Sequence, residues 1–163
     1  MRTRHYFCCL VAAALSACGG SNDTAPPVAI TPATPASAAT VVLDRSQTVS
    51  GTDSNNNGIR DDIDSLVDSY PLSAPQKKAS SQLASAIQTA LLTSGTLDPA
   101  YANAQEMHRA QLCMNSLISG YTTYSRDIEA KTLNTEPRIK AWIAFETAIA
   151  GQVFPTPQGG ICK

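Results

Sequence analysis

The sequence predicts an all-α domain built as a small bundle of about four helices. Apolar residues recur at intervals of three and four along residues 59–153, which is the period of one helix face. Proline and glycine residues divide this pattern into segments joined by short loops. An Asp- and Asn-rich loop and a segment rich in Ala, Pro, Thr and Ser precede the helices, so the folded domain is expected over residues 41–163.

Length and composition agree with one globular domain. The chain has 163 residues, of which 43% are hydrophobic and 15% charged, and its formal net charge is −1. These values exclude a collagen, a coiled-coil rod and a strongly basic nucleic-acid-binding protein.

The first 17 residues have the composition of a secretory signal. Arg2 and Arg4 precede an apolar run from Phe7 to Ala17, which is too short to span a bilayer. The run ends in Leu15-Ser16-Ala17-Cys18, a tetrapeptide that resembles the lipobox of bacterial lipoproteins. The resemblance implies that residues 1–17 are a lipoprotein signal peptide and that Cys18 is acylated after cleavage. The alternative is an ordinary secretory signal in which Cys18 is incidental.

Acylation of Cys18 would attach the mature chain to a membrane without a spanning helix, because each buried methylene contributes roughly 0.8 kcal/mol. Gly19 follows this cysteine, and by resemblance to Gram-negative lipoproteins it favours the outer membrane over the inner one. The expected location is therefore the outer membrane of the cell envelope. The domain could be on its periplasmic face or on its outer face, and the sequence does not distinguish the two.

Residues 18–40 are predicted to form the lipid anchor and a disordered linker. Ala, Pro, Thr and Ser occupy 16 of the 22 positions from 19 to 40, and Asp23 is the one charged residue among them. Such a segment buries too little apolar surface to offset its ordering entropy. Removal of Arg2 and Arg4 with the signal changes the formal net charge from −1 to −3. This charge gives no reason to expect a nucleic-acid partner.

Residues 53–64 carry oxygen-bearing side chains at positions 1, 3, 5, 9 and 12 of a loop that has Gly58 at position 6. Calcium takes six to eight oxygen ligands, and a glycine permits the sharp turn that aims alternate residues inward. The predicted Ca²⁺ ligands are the side chains of Asp53, Asn55, Asn57, Asp61 and Asp64 and the backbone carbonyl of Ile59. Asp62 points away in this scheme and is assigned to the first turn of the next helix, where the macrodipole favours a negative charge.

This loop resembles the calcium loops of EF-hands, dockerins and thrombospondin type 3 repeats, and residues 57–64 are most similar to the thrombospondin type. It departs from the EF-hand in having Asp64 rather than a glutamate at position 12, and Asn55 and Asn57 in place of aspartates. The resemblance therefore implies weak affinity, suited to a calcium-rich extracytoplasmic setting. A single copy gives little support to a dockerin-type docking role. The alternative interpretation is an Asn- and Gly-rich turn that caps the next helix.

The first two helices are justified by their apolar stripes and their end signals. The first leaves the loop and stops before Pro71, and its stripe consists of Ile59, Ile63, Leu66, Val67 and Tyr70. The second is expected to begin near Pro75 and to end near Gly95, with Leu83, Ile87, Ala90 and Leu91 facing inward.

The third helix is expected to start at Asp98-Pro99, an N-cap followed by proline. Its stripe continues to Ile128 with Gly120 as a possible kink, through Met107, Ala110, Met114, Leu117, Tyr121 and Tyr124. Asn134 or Thr135 caps the last helix, which is expected to bury Ile139, Trp142, Ile143, Ile149 and Val153.

Cys113 and Cys162 are the two cysteines left after processing and acylation. A pair of cysteines in an exported protein most often forms a disulfide, which here would join the C-terminal tail to the third helix. The other possibility is two free or buried thiols. His108 is the one histidine of the mature chain, so a multi-histidine metal centre is excluded.

Two functions of different classes follow. The preferred one is a non-catalytic, membrane-anchored and calcium-stabilised module that binds another envelope protein or a surface ligand. The alternative is an enzyme or enzyme inhibitor that uses a helical groove near Glu146, Trp142 and His108. The segments 60–64, 134–138 and 151–154 are also similar to small secreted bacterial proteins of uncharacterised function, a resemblance that implies no activity.

Overall fold

The computed structural model describes residues 40–157 and 159–163, so the predicted signal peptide 1–17, Cys18 and the linker to residue 39 lie outside the described residues. Within the described part all regular structure is helical, which confirms the all-α prediction. There are five helices here: α1 (Asp61–Ser69), α2 (Ala74–Leu92), α3 (Leu97–Leu117), α4 (Tyr121–Thr132) and α5 (Glu136–Ile149).

The starts of α1 and α2 follow from local chemistry. Asp61, Asp62 and Asp64 all lie in the first turn of α1, where negative charge interacts favourably with the helix dipole. The start of α2 is a capping box between Ser73 and Gln76: the side chain of each caps a backbone N–H group of the other. The first turn of α2 also contains proline, which has no N–H group to leave unpaired there.

The prediction of one long third helix was wrong. The chain leaves the helical path after Leu117, and α4 starts at Tyr121 with Gly120 as its N-cap. The helix breaks at the predicted kink and so yields five helices instead of about four. The start of α3 also differs, because Thr96 rather than Asp98 is the N-cap residue.

The core lies around α2, which packs against each of the other four helices and most extensively against α3. The largest cluster of buried apolar side chains joins α1, α2, α3 and α4, and contains Ile63, Val67, Leu83, Ile87, Met114 and Ile128 among others. A second, smaller cluster is formed by Ala90, Ala100 and Phe145 with Trp142 packed against it. The first helix after the oxygen-rich loop is therefore part of the main core.

The predicted inward face of the last helix was partly wrong. Ile139, Ile143 and Val153 are exposed, whereas Arg138 and Phe145 are the buried residues of α5. A buried arginine at the start of α5 turns the helix so that Phe145 faces the core, and Val153 comes after the helix has ended. None of the helices in the described part is both long enough and apolar enough to cross a bilayer.

The predicted disulfide between Cys113 and Cys162 is present. It fixes the C-terminal tail to the buried side of α3, and hydrogen bonds extend the attachment. The Arg109 guanidinium donates to the Gly160 carbonyl at 3.1 Å, and the Gln82 amide bonds to both the Ile161 carbonyl and the Lys163 N–H group, each at 3.1 Å.

Candidate metal loop, buried arginines and helical groove

The oxygen-rich loop turns at two residues with left-handed backbone conformation. These are Asn56, with φ of 55°, and Gly58, with φ of 81°. Asparagine and glycine are the residues that adopt this conformation at lowest cost. The loop then enters the core at once, since the Ile59 side chain and Arg60 are buried.

Four of the predicted ligand side chains form hydrogen bonds within the loop. The Asp53 carboxylate accepts from the backbone N–H groups of Asn57 (3.2 Å) and Gly58 (2.9 Å). The Asp64 carboxylate accepts from the side-chain amides of Asn57 (2.7 Å) and Asn55 (3.1 Å). The structure thus brings the side chains of Asn55, Asn57 and Asp64 together, with the amide nitrogens of the two asparagines facing the Asp64 carboxylate, whereas Asp53 bonds to the loop backbone.

Asp61, the fifth predicted side-chain ligand, faces the start of the loop. Its carboxylate accepts from the Ser54 hydroxyl at 2.7 Å and from the Ser54 backbone N–H group at 2.9 Å. These two bonds, the hydroxyl one first, lower the pKa of Asp61 below its ordinary value. The carboxylate is therefore in its charged form at neutral pH, the form that a metal ion would need.

The donor set fits a hard cation by its chemistry. Three aspartates, two asparagine side chains and the Ile59 carbonyl supply only oxygen, and calcium accepts all three oxygen types. No three His, Cys, Asp or Glu side chains converge into a metal-binding group anywhere in residues 40–157 and 159–163. The carboxylates of Asp53, Asp61 and Asp64, which the sequence predicts to share one ion, therefore do not converge on one point in this structure.

Asp62 lies in the first turn of α1, as predicted, and its side chain is buried. Its carboxylate forms a two-pronged ion pair with Arg60, with N–O distances of 2.7 and 2.8 Å. The same guanidinium donates to the backbone carbonyls of Thr132 (3.0 Å) and Lys131 (3.3 Å). Since those carbonyls belong to the last turn of α4, Arg60, which lies within the loop and directly before α1, ties the start of α1 to the end of α4.

A second buried arginine, Arg138, lies beside the first. It donates to the Asp44 carbonyl and to the Asn134 side chain, both at 2.7 Å, and its guanidinium is 3.6 Å from the Asp44 carboxylate. The Asp44 backbone N–H group donates to the Asp62 carboxylate at 2.9 Å. Burial, and then the charge of Arg60, lower the pKa of Arg138. We name these four charged residues, Asp44, Arg60, Asp62 and Arg138, the arginine network.

Gly51 permits the close packing of this network. A Cβ atom at residue 51 would lie 2.3 Å from Cδ of Arg60 and 2.8 Å from the Asp44 carboxylate, and the backbone has φ of 65°. A larger residue would therefore clash with these side chains, and its backbone would also be strained.

The network predicts an acid-sensitive contribution to stability from Asp44. Hydrogen bonds from Ser46 and Thr52, together with the nearby Arg138, lower the pKa of Asp44 to about 2 in the folded protein. A group with a depressed folded pKa stabilises the fold above its unfolded pKa of about 4 and loses that contribution as the pH falls. We expect the wild type to lose about 1 kcal/mol more stability than Asp44→Asn between pH 4 and pH 2, because the side chain is partly exposed and its charge partly screened. Urea unfolding at both pH values measures this difference, and equal losses in the two proteins would contradict it.

The three residues named for the alternative function line one groove. His108 comes from α3, and Trp142 and Glu146 come from α5. The groove has a volume of about 420 Å³, and Met107, Phe145, Ile149 and Phe154 supply most of its apolar wall. The rings of Trp142 and Phe145 lie 5.2 Å apart.

No family model, no curated protein and no solved structure matches this chain. The helical domain, its oxygen-rich loop and its groove are thus the features on which a functional argument can draw.

Proposed function

We propose that this chain is a membrane-anchored, calcium-stabilised extracytoplasmic module that binds another protein or an envelope component. The observation that carries the proposal is the position of the loop: its predicted ligands lie on both sides of the buried Arg60, and the last two, Asp61 and Asp64, lie in the first turn of the first core helix. A cation held by the loop would act on residues that are already packed into the core.

The mechanism follows from the order of the elements. Calcium would be held by Asp53, Asn55, Asn57, Asp61, Asp64 and the Ile59 carbonyl. In the structure the Asp53 and Asp64 carboxylates accept hydrogen bonds from N–H groups of the loop itself. Binding would exchange such bonds for stronger interactions with a divalent charge and would restrain the chain that leads to Arg60. In this proposal the ion strengthens the attachment of the start of α1 to the end of α4, and its role is structural rather than catalytic.

The anchor belongs to the same proposal. Acylated Cys18 would hold the mature chain at the outer membrane of the cell envelope, and the residues after it would serve as the linker. The calcium content of an extracytoplasmic compartment suits the weak affinity expected of a loop with three carboxylates.

Calorimetric titration tests the metal site. We expect the purified domain to bind calcium with a dissociation constant of about 0.1–1 mM, the range of extracellular modules. The double variant Asp53→Asn, Asp64→Asn keeps the size of both side chains but removes two of the three carboxylates, and we expect it to bind at least about tenfold more weakly.

Asp68→Asn is the matched control for that titration. Asp68 is an exposed aspartate of α1 that lies beyond the loop, so its removal changes the net charge without changing the donor set. Absence of calcium heat in the wild type, or equal heats in the wild type and the double variant, would refute the metal site.

The second candidate is an enzyme or enzyme inhibitor that works through the groove. One observation favours it, namely that Glu146, Trp142 and His108 line the same groove. General acid–base catalysis needs a positioned partner for proton transfer. Among the described hydrogen bonds and ion pairs, none involves the Glu146 carboxylate or the His108 ring, so the binding function has the better support.

A further inference from the structure

The exposed apolar surface of α5 extends beyond the α3–α5 groove. Ile139 and Ile143 are 46% and 56% exposed, and they lie within three or four residues of Trp142 and Glu146 on α5. Residues at these spacings are neighbours on a helix surface. An elongated apolar strip therefore runs along α5, which suits an extended or helical segment better than a compact ligand.

Negative charge without an internal partner lies beside this strip. Glu146 is exposed at the groove, and burial together with the charge of Glu146 raises the pKa of the neighbouring Glu129 on α4. Neither carboxylate takes part in an ion pair within the described part of the chain. By contrast Glu106, Asp127 and Glu136 are each paired with a lysine.

We infer that the α3–α5 groove binds a cationic amphipathic segment of a partner polypeptide. Its apolar face would pack on Trp142, Phe145 and the exposed isoleucines of α5, as in helix-in-groove recognition. A lysine or arginine of the segment would pair with Glu146, which lines the groove, and would thereby also offset the repulsion that Glu146 exerts on Glu129. This inference rests on the proposed binding function and names the class of partner.

Charge complementarity favours this occupant over two others. A second copy of the chain, paired through the same face by two-fold symmetry, would bring two patches with the same unpaired negative charge together. Anionic lipid headgroups would meet the same two carboxylates. Both contacts are repulsive, whereas a basic segment gains from them.

Trp142 provides the measurement, since it is the single tryptophan of the chain and lines the groove. A tryptophan-free amphipathic peptide with leucine on one face and lysine on the other is titrated into the full domain while the Trp142 emission is recorded. A second peptide, with every lysine replaced by glutamine, has the same apolar face without the charge. We expect the lysine peptide to bind about tenfold more tightly than the glutamine peptide.

Variants assign the effect to the two carboxylates. In Glu129→Gln, Glu146→Gln the advantage of the lysine peptide should disappear while the glutamine peptide binds as before. Glu136→Gln removes a carboxylate of the same helix that is already paired with Lys140, and it should change the affinity by less than about twofold. Circular dichroism verifies that each variant is folded.

Three results would overturn the inference: equal affinity for both peptides, an unchanged lysine advantage in the double variant, or the same change in Trp142 emission with hexylammonium at the concentrations at which the lysine peptide acts. The last result would mean that a small amine suffices. Because Glu129 and Glu146 lie outside the calcium loop, calcium heat should persist in the double variant. A failed peptide titration with normal calcium heat therefore refutes the groove alone, and lost calcium heat refutes the metal site alone.

Discussion

Arg60→Met is expected to lower the free energy of unfolding by about 3–5 kcal/mol, the cost of removing one partner of a buried ion pair. The substitution leaves the Asp62 carboxylate buried without its guanidinium, and it leaves the Thr132 and Lys131 carbonyls without a donor. Methionine has an apolar side chain of comparable length, so little of the loss should come from a cavity. Guanidinium chloride unfolding measures the change.

Lys140→Met is the matched control, because it removes the cation of an ion pair of similar length on the protein surface. Lys140 and Glu136 are 2.6 Å apart, but their side chains are 72% and 76% exposed. An exposed pair contributes about 0–1 kcal/mol. If Arg60→Met destabilised the protein no more than Lys140→Met, the arginine network would have no structural importance.

Loss of the disulfide has the second large effect, and Cys162→Ser is expected to destabilise the domain by about 4 kcal/mol. The bond joins residues separated by 49 positions, and its removal returns the entropy of that loop to the unfolded chain. Cys162 is the better position to change, because it is exposed whereas Cys113 is buried in the core.

Chemical reduction provides a second route to the same state. Wild-type protein in excess dithiothreitol should unfold at the same denaturant concentration as Cys162→Ser, and the variant itself should not respond to the reductant. A stability of Cys162→Ser within about 1 kcal/mol of the oxidised wild type would show that tail contacts such as Arg109 to Gly160 hold the C-terminus without the bond.

The helices could be predicted where their signals are local. Pro71 ends the first stripe, Pro75 marks the start of the second helix, and Thr135 caps the last one. The oxygen-rich loop was visible for the same reason, because its side chains are spaced within 12 residues and its turn needs Gly58. Features encoded within a few residues need no knowledge of the tertiary structure.

The arginine network could not be predicted, because hydropathy assigns arginine to the surface. Arg60 and Arg138 are 78 positions apart, and their burial depends on backbone carbonyls of α4 and of the segment around Asp44. The same burial explains the error in α5, since the inward position of Arg138 determines which isoleucines face outward.

The groove was predicted in its residues but not in its shape. The sequence predicts a groove near Glu146, Trp142 and His108, because these are chemically distinctive side chains on or beside the apolar stripes of two helices. Their convergence depends on how α3 and α5 pack, which a helical period does not specify. Glu129 was not predicted at all, because its proximity to Glu146 is a contact between separate helices.

Thermal unfolding with and without calcium tests the central claim most directly, namely that the loop at 53–64 stabilises the domain by binding the ion. For a dissociation constant of about 1 mM, calcium at about 10 mM should add about 1.4 kcal/mol to the stability of the wild type relative to chelator. The midpoint should rise by about 4–8 °C, magnesium should have a smaller effect, and Asp53→Asn, Asp64→Asn should rise by at most about 2 °C. Identical midpoints for the wild type in calcium and in chelator would contradict the account.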